Sequence, residues 1–238
     1  MMGWSIEKQR EFVREGHVVL PSVVPSELVA AARCVIDERI ANGDSATPAD
    51  FRQHDAIAAL FNDSALAPLM QSAIGEPKPV NGGQVALRFP TARQDFSSHG
   101  DAPMDNPFGW GGHLDGMNSF FHAEPVKGAG QVANPDDTFV NFDCLVGVAL
   151  NDQLTDECGN LGLLSRSHTE SAAFFAHQRA NGGPLGPGGH AWPLTFGNGR
   201  ALPPPCKELP GAVEGADGSW YPKPTTIKLR AGDAVLAQ

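Results

Sequence analysis

The sequence predicts a mainly β protein, a sandwich or a barrel, that is supported by helices at its N-terminal end. Apolar residues recur at helical spacing through about residues 1–78, and short alternating or β-branched segments follow in about residues 79–238. The 27 glycines and 20 prolines predict many turns and long loops, which argues against a helix bundle. A length of 238 residues suits a single domain of this kind.

Four helices are predicted in the N-terminal part. The best of them begins at Pro25, which suits a first helical turn, and ends before Asn42-Gly43. The others rest on the same apolar spacing and on glycine or proline at their ends. The predicted helices are Ile6–Arg14, closed by Gly16; Pro25–Ala41; about Asp50–Phe61; and a helix capped by Asp63 or Ser64 that reaches Ile74 before Gly75 and Pro77.

Six segments predict strands. The longest, Phe139–Leu150, is apolar and β-branched, so we expect a buried central strand there. Residues 181–224 are rich in Gly and Pro and too long for an ordinary connection, which predicts a lid, a binding loop or a mobile insertion. The strand segments are His17–Leu20, Gln84–Phe89, Phe139–Leu150, Leu161–Leu164, Thr225–Leu229 and, after a turn at Gly232-Asp233, Ala234–Ala237.

Charge and composition narrow the class of protein. A formal net charge of −10 without a basic patch argues against a nucleic-acid partner. No apolar run reaches the ~18 residues that suggest a membrane span, and the first residues lack the apolar core of a secretory signal. The four cysteines are widely spaced, which favours free thiols in a reducing cytoplasm over a zinc knuckle or a disulfide framework. We therefore expect a cytoplasmic protein.

The most informative local motif is Gly111-Gly112-His113-Leu114-Asp115-Gly116. On an extended strand the side chains at i and i+2 point to the same face, so His113 and Asp115 would lie side by side. With a third ligand from a distant strand they would form the two-His-one-carboxylate triad of non-haem iron(II) oxygenases. The tripeptide alone is weak support, because a histidine near an aspartate is usually a solvated surface pair.

Three further segments give that motif a context. They are Phe12–Pro21 (FVREGHVVLP), Leu145–His168 (LVGVALNDQLTDECGNLGLLSRSH) and Leu229–Leu236 (LRAGDAVL). Together with the intervening His113 and Asp115, they resemble in order the motifs of the phytanoyl-CoA dioxygenase family, and the resemblance covers nearly the whole chain.

The resemblance implies a double-stranded β-helix, or jelly roll, with one Fe(II) and with 2-oxoglutarate as cosubstrate. It implies hydroxylation of a small-molecule or acyl substrate by molecular oxygen, with His113 and Asp115 as two iron ligands. The presence of Asp115 argues for hydroxylation, because related halogenases lack this carboxylate and bind chloride in its place. The family's substrates are varied, and the sequence does not identify one.

The sequence departs from the family pattern at its C-terminal end. The family's distal iron-binding histidine and the arginine that grips 2-oxoglutarate follow the strand that begins at Ala234, so both are expected beyond Gln238. The last barrel strand is missing as well, which predicts an unpaired apolar edge. We interpret this as a truncated jelly roll, with biological loss of the site as the less favoured alternative.

Two other residues are candidates for the cosubstrate pocket. Arg88, on the polar face of its predicted strand, would contact a carboxylate or form an interstrand ion pair. His168 would line the pocket or, as we prefer, hold a turn together. His177 and His190 are weaker candidates for a replacement third ligand, and His99 and His122 for residues near the site.

Two alternative functions stay open. A relative on the same barrel could bind a small ligand without catalysis. A cupin-like metal enzyme could act without 2-oxoglutarate, since barrels of this shape host many chemistries.

Overall fold

A computed structural model describes residues 4–42, 53–86, 120–121, 138–139, 144–156, 158–169, 172, 211–214, 220–221 and 223–238. The chain forms two compact units. The first comprises Met1–Pro90, Cys144–Leu161 and Thr226–Gln238, and the second comprises Thr91–Asp143 and Gly162–Thr225. The N-terminal helices therefore share a unit with strands from the middle and from the end of the chain.

Within its described residues the first unit contains four helices. They are α1 (Ile6–Glu15), α2 (Ser26–Ala41), α3 (Asp55–Asn62) and α4 (Leu66–Ile74). Helix α1 begins at Ser5, whose hydroxyl accepts a hydrogen bond from the backbone N–H of Lys8, and ends at Gly16 in the left-handed conformation. Among the described residues no helix is long and apolar enough to cross a bilayer.

The same unit contains a three-stranded antiparallel sheet in the order β1-β9-β4. Its strands are β1 (His17–Leu20), β9 (Ala234–Ala237) and β4 (Leu145–Val148). In register, Val18 lies opposite Leu236, and Leu236 lies opposite Val146. Strand β9 is thus the centre of the sheet and has a partner along each edge, so the predicted unpaired apolar edge is not at β9.

The core of the first unit lies between one face of this sheet and the helices. Val18, Leu66 and Leu236 are fully buried in it, and removing side chains of this size from water contributes about 1.5–3 kcal/mol each. The opposite face of the sheet carries Val235, which is also fully buried. Gly147 faces Val235, because a Cβ at Gly147 would lie 3.1 Å from Val235 Cγ1.

The second unit contributes short strands. Strands β2 (Phe120–Phe121) and β3 (Thr138–Phe139) pair antiparallel, as do β6 (Val213–Glu214) and β7 (Trp220–Tyr221). Strands β5 (Gly162–Leu163) and β8 (Thr225–Thr226) form another pair, and Thr226 begins the return of the chain to the first unit.

Several of the predicted elements are confirmed. Helices α1, α2 and α4 end within a residue of prediction, and β1 and β9 have the predicted bounds. Helix α3 begins at Asp55, and residues 43–52 lie outside the described part of the chain. The short strand β5 lies within Leu161–Leu164, and β8 lies at the start of Thr225–Leu229.

Two strand predictions are wrong in part. Strand β4 covers only Leu145–Val148 of the predicted Phe139–Leu150, and within the described residues it pairs only with β9. Leu145 is 42% exposed, so β4 is not the buried central strand; β9 is. Residues Gln84–Ala86 belong to no strand, and the rest of that prediction lies outside the described residues. An apolar, β-branched run marked Phe139–Leu150 and alternation marked Gln84–Phe89, but neither pattern alone fixes strand pairing. The double-stranded β-helix stays a prediction.

Candidate functional site

The predicted metal ligands, His113 and Asp115, lie outside the described residues. The same holds for Arg88 and for the other histidines that were considered, which are His99, His122, His177 and His190. Within the described ranges no group of three or more His, Cys, Asp or Glu side chains could hold a metal ion. The iron site therefore stays a prediction from sequence.

His168 is the one predicted pocket residue that the structure describes. It follows a turn at residues 165–166 and lies among the helical residues 167–169, and the N–H of Ser167 donates to the carbonyl of Leu164 at 3.1 Å. Arg166 has a positive φ of 69°, which is costly for a side chain of this kind, and its carbonyl accepts the hydroxyl of Thr169 at 2.8 Å. The His168 ring is half-buried and its Nδ1 is shielded from solvent. The structure thus shows His168 as a partly buried residue of the second unit.

The turn before β9 is held by a buried carboxylate. Asp233 Oδ1 accepts the N–H of Ser22 at 2.8 Å, and Oδ2 accepts the N–H of Arg230 at 2.7 Å. Ser22 has a positive φ of 52°. Its backbone N–H has the carboxylate of Asp233 as its hydrogen-bond acceptor in this turn. One side chain thus fixes the exit of β1 and the entry to β9, although 211 residues separate Ser22 from Asp233.

Gly232 fits the same turn because it has no side chain. Its φ is 88°, and a Cβ there would lie only 2.8 Å from the carbonyl oxygen of Val24. Its N–H donates to Ala149 at 2.9 Å and its carbonyl accepts from Val24 at 3.1 Å. The predicted turn at Gly232-Asp233 is therefore confirmed. Gly232 permits the close approach of the backbone, and the carboxylate of Asp233 accepts the hydrogen bonds that hold the turn.

The segment after β4 is tied to the segment before β9. Asp152 Oδ1 accepts the N–H of Ala231 at 2.9 Å. Asn160 donates from Nδ2 to the carbonyls of Gln153 at 2.9 Å and Ile227 at 3.2 Å, and its Oδ1 accepts the N–H of Cys158 at 3.0 Å. These side-chain hydrogen bonds flank an isolated antiparallel bridge between Gln153 and Leu229, in which the N–H of Gln153 donates to the carbonyl of Leu229 at 2.7 Å.

Sequence reasoning identified Asp233 only as part of a turn and missed these contacts. It missed Asn62 altogether. Asn62 Nδ2 donates to the carbonyl of Val80 at 2.7 Å, while its Oδ1 accepts the N–H of Val80 at 3.1 Å. The available signal was an Asn or Asp at an element end, but that pattern is as common in isolated turns.

Among the described residues, Cys34 and Glu7 have shifted pKa values. The side-chain hydrogen bond to Glu38 raises the pKa of Cys34, and the negative charge of the same carboxylate adds to the effect. Hydrogen bonding within the first turn of α1, to the backbone first and then to Ser5, lowers the pKa of Glu7. Neither residue belongs to the predicted site, and both shifts have local causes on helix surfaces.

The chain matches no protein-family model, and comparison with curated proteins and with solved structures gives no match.

Proposed function

We propose that the protein is an Fe(II)- and 2-oxoglutarate-dependent dioxygenase that hydroxylates a small-molecule or acyl substrate, on a scaffold like that of the phytanoyl-CoA dioxygenases. The carrying observation is the His113-Leu114-Asp115 motif among three other motifs in the family's order. We also propose a cytoplasmic location, because the wide spacing of the four cysteines favours free thiols in a reducing compartment.

The arrangement of the first unit supports this proposal. Three of the four motif segments, which are far apart in the sequence, contribute β1, β4 and β9 to one sheet. The carboxylate of Asp233, in the third of these segments, fixes the turn of the first. The segments thus act as parts of one scaffold, as the family resemblance requires.

Each proposed site residue has a defined role. His113 and Asp115 bind the iron through an imidazole nitrogen and a carboxylate oxygen. Arg88 contacts a carboxylate of 2-oxoglutarate or forms an interstrand ion pair, and His168 lines the cosubstrate pocket or holds its turn together. When bound, Fe(II) would supply oxygen activation, in which 2-oxoglutarate would be converted to succinate and carbon dioxide with one atom of O2 and the substrate would be hydroxylated with the other.

Metal binding provides the direct test. The protein is titrated anaerobically with Fe(II) and then with 2-oxoglutarate while the weak visible charge-transfer band of the chelate is recorded. We expect a band that is lost in His113→Ala and in Asp115→Ala and is kept in Asp156→Ala, a matched change at an exposed carboxylate. The titration is run on residues 1–238 and on a chain that continues past Gln238.

The outcomes separate the alternatives. A band that depends on Asp115, with succinate formation, supports the oxygenase. Metal binding without a 2-oxoglutarate band supports a cupin-like metal enzyme. The absence of metal binding in both chains supports a non-catalytic binder and contradicts the proposal.

A further inference from the structure

Four Asn-Gly dipeptides occur in the sequence, and the structure describes the asparagine of two of them. They are Asn42-Gly43, Asn81-Gly82, Asn181-Gly182 and Asn198-Gly199, of which the first two have described asparagines. Asparagine is thermolabile, and a following glycine leaves its own backbone nitrogen sterically open. That nitrogen attacks the asparagine Cγ and expels ammonia, which closes a succinimide ring. Water then opens the ring to aspartate or isoaspartate. The local backbone decides whether this ring can close.

Asn42 is held in a conformation that opposes ring closure. It caps the C-terminus of α2 with φ −79° and ψ 2°, and its N–H donates to the carbonyl of Glu38 at 3.1 Å. A ψ near zero places the nitrogen of Asn42 itself in line with the next backbone nitrogen. The Cβ of Asn42 is then rotated by about a third of a turn from that next nitrogen about the Cα–C bond. Ring closure requires Cβ and that nitrogen to be eclipsed. The Cα–C bond of Asn42 must therefore rotate by about a third of a turn out of its observed conformation before Asn42 reacts.

Asn81 has none of these restraints within the described structure. It is exposed, it lies between α4 and the end of the described segment in a stretch without helix or strand, and neither it nor Gly82 hydrogen-bonds to a described residue. Gly82 is not among the described glycines with positive φ. Rotation about the Cα–C bond of Asn81, which brings the Gly82 nitrogen to Cγ, therefore breaks no hydrogen bond that Asn81 or Gly82 makes within the described structure.

We propose that Asn81-Gly82 is a site of spontaneous deamidation in the folded protein. The bond formed joins the Gly82 nitrogen to Asn81 Cγ, and the bond broken releases the side-chain nitrogen as ammonia. Water then hydrolyses either carbonyl of the ring and restores a carboxylate. No oxidant or enzyme takes part.

The position of Asn81 gives this chemistry a structural consequence. Val80, directly before it, is held at both its N–H and its carbonyl by Asn62 on α3. Gly83, directly after Gly82, lies against Ile57 of the same helix, because a Cβ at Gly83 would be 3.3 Å from Ile57 Cγ2. Isoaspartate at position 81 inserts one extra backbone carbon between these two anchors, so one of the two contacts must shift.

The two dipeptides in one chain allow an internally controlled experiment. The folded protein is incubated at mildly alkaline pH, digested, and the peptides containing Asn42 and Asn81 are quantified by mass spectrometry together with isoaspartate. We expect Asn81 to convert at least about fivefold faster than Asn42, a ratio equivalent to about 1 kcal/mol of restraint at the helix end. In denaturant the two rates should become equal.

A variant tests the chemistry. Gly82→Ala adds a methyl group next to the attacking nitrogen and should slow conversion at Asn81 without changing Asn42. The proposal is overturned if Asn81 converts no faster than Asn42 in the folded protein. It is also overturned if their ratio is the same in denaturant, since the fold would then have no part in the difference.

Discussion

Removing the carboxylate of Asp233 is expected to destabilise the first unit, because this buried side chain accepts two backbone hydrogen bonds. Bonds to a charged acceptor contribute about 1.5–3 kcal/mol each. We take the lower figure because Ser22 and Arg230 are exposed residues to which water has access. Asp233→Ala should therefore lower the free energy of unfolding by about 3 kcal/mol, and Asp233→Asn, which keeps one acceptor oxygen, by about 1.5 kcal/mol.

Urea unfolding measures this effect. With a slope of about 2 kcal/mol per molar urea, a loss of 3 kcal/mol moves the midpoint down by about 1.5 M. Amide hydrogen exchange at Ala149 gives a local reading, because its N–H donates to the backbone carbonyl of Asp233 at 3.0 Å. Asp156→Ala is the control, because its ion pair with Lys228 is exposed and should contribute less than about 1 kcal/mol.

The refuting result is equally specific. If Asp233→Ala unfolds within about 0.5 kcal/mol of the parent, as a surface substitution does, the carboxylate does not hold the turn. If Asp233→Asn costs as much as Asp233→Ala, the two bonds are not separate contributions.

Two further predictions follow from local geometry. Gly232→Ala should lower the free energy of unfolding in urea by about 1–3 kcal/mol more than Gly75→Ala. Both glycines have positive φ, but of the two only Gly232 would place a Cβ against backbone, 2.8 Å from the carbonyl oxygen of Val24. Equal losses of stability would contradict this prediction. Glu38→Gln should lower the pKa of Cys34, since its carboxylate raises it, and so increase the thiolate fraction and the rate of alkylation by iodoacetamide at a fixed pH. The exposed Cys158 serves as the internal reference, and an unchanged Cys34 rate would refute the assignment.

The helices of the first unit were predictable because their signals are local. Gly16 in the left-handed conformation, Pro25 before α2 and Gly75 after α4 act on the backbone within one turn of their own position. The bounds of β1 and β9 were predictable from short apolar runs with turn residues beside them.

The pairing of the strands was not predictable in the same way. Nothing in the sequence near Leu145 indicates that β4 pairs with β9 and not with the residues before it. The roles of Asn62 and Asp233 depend equally on partners from distant parts of the chain, so residue type alone did not reveal them. The predicted iron ligands rest on motif order, which the described residues do not test.

The central place of β9 has a consequence for how the protein is made. A ribosome delivers β1 first and β4 much later, and the strand that joins them only after both. Until this end of the chain has emerged, the two outer strands have no common partner in Ala234–Ala237, and the N–H of Ser22 lacks its acceptor, the carboxylate of Asp233. A nascent chain arrested before Ala234 should therefore be cleaved at β1 by added protease, whereas a released chain should be protected there. The first unit thus completes this sheet only after Ala234–Ala237 have left the ribosome, because β9 is the strand that joins the other two.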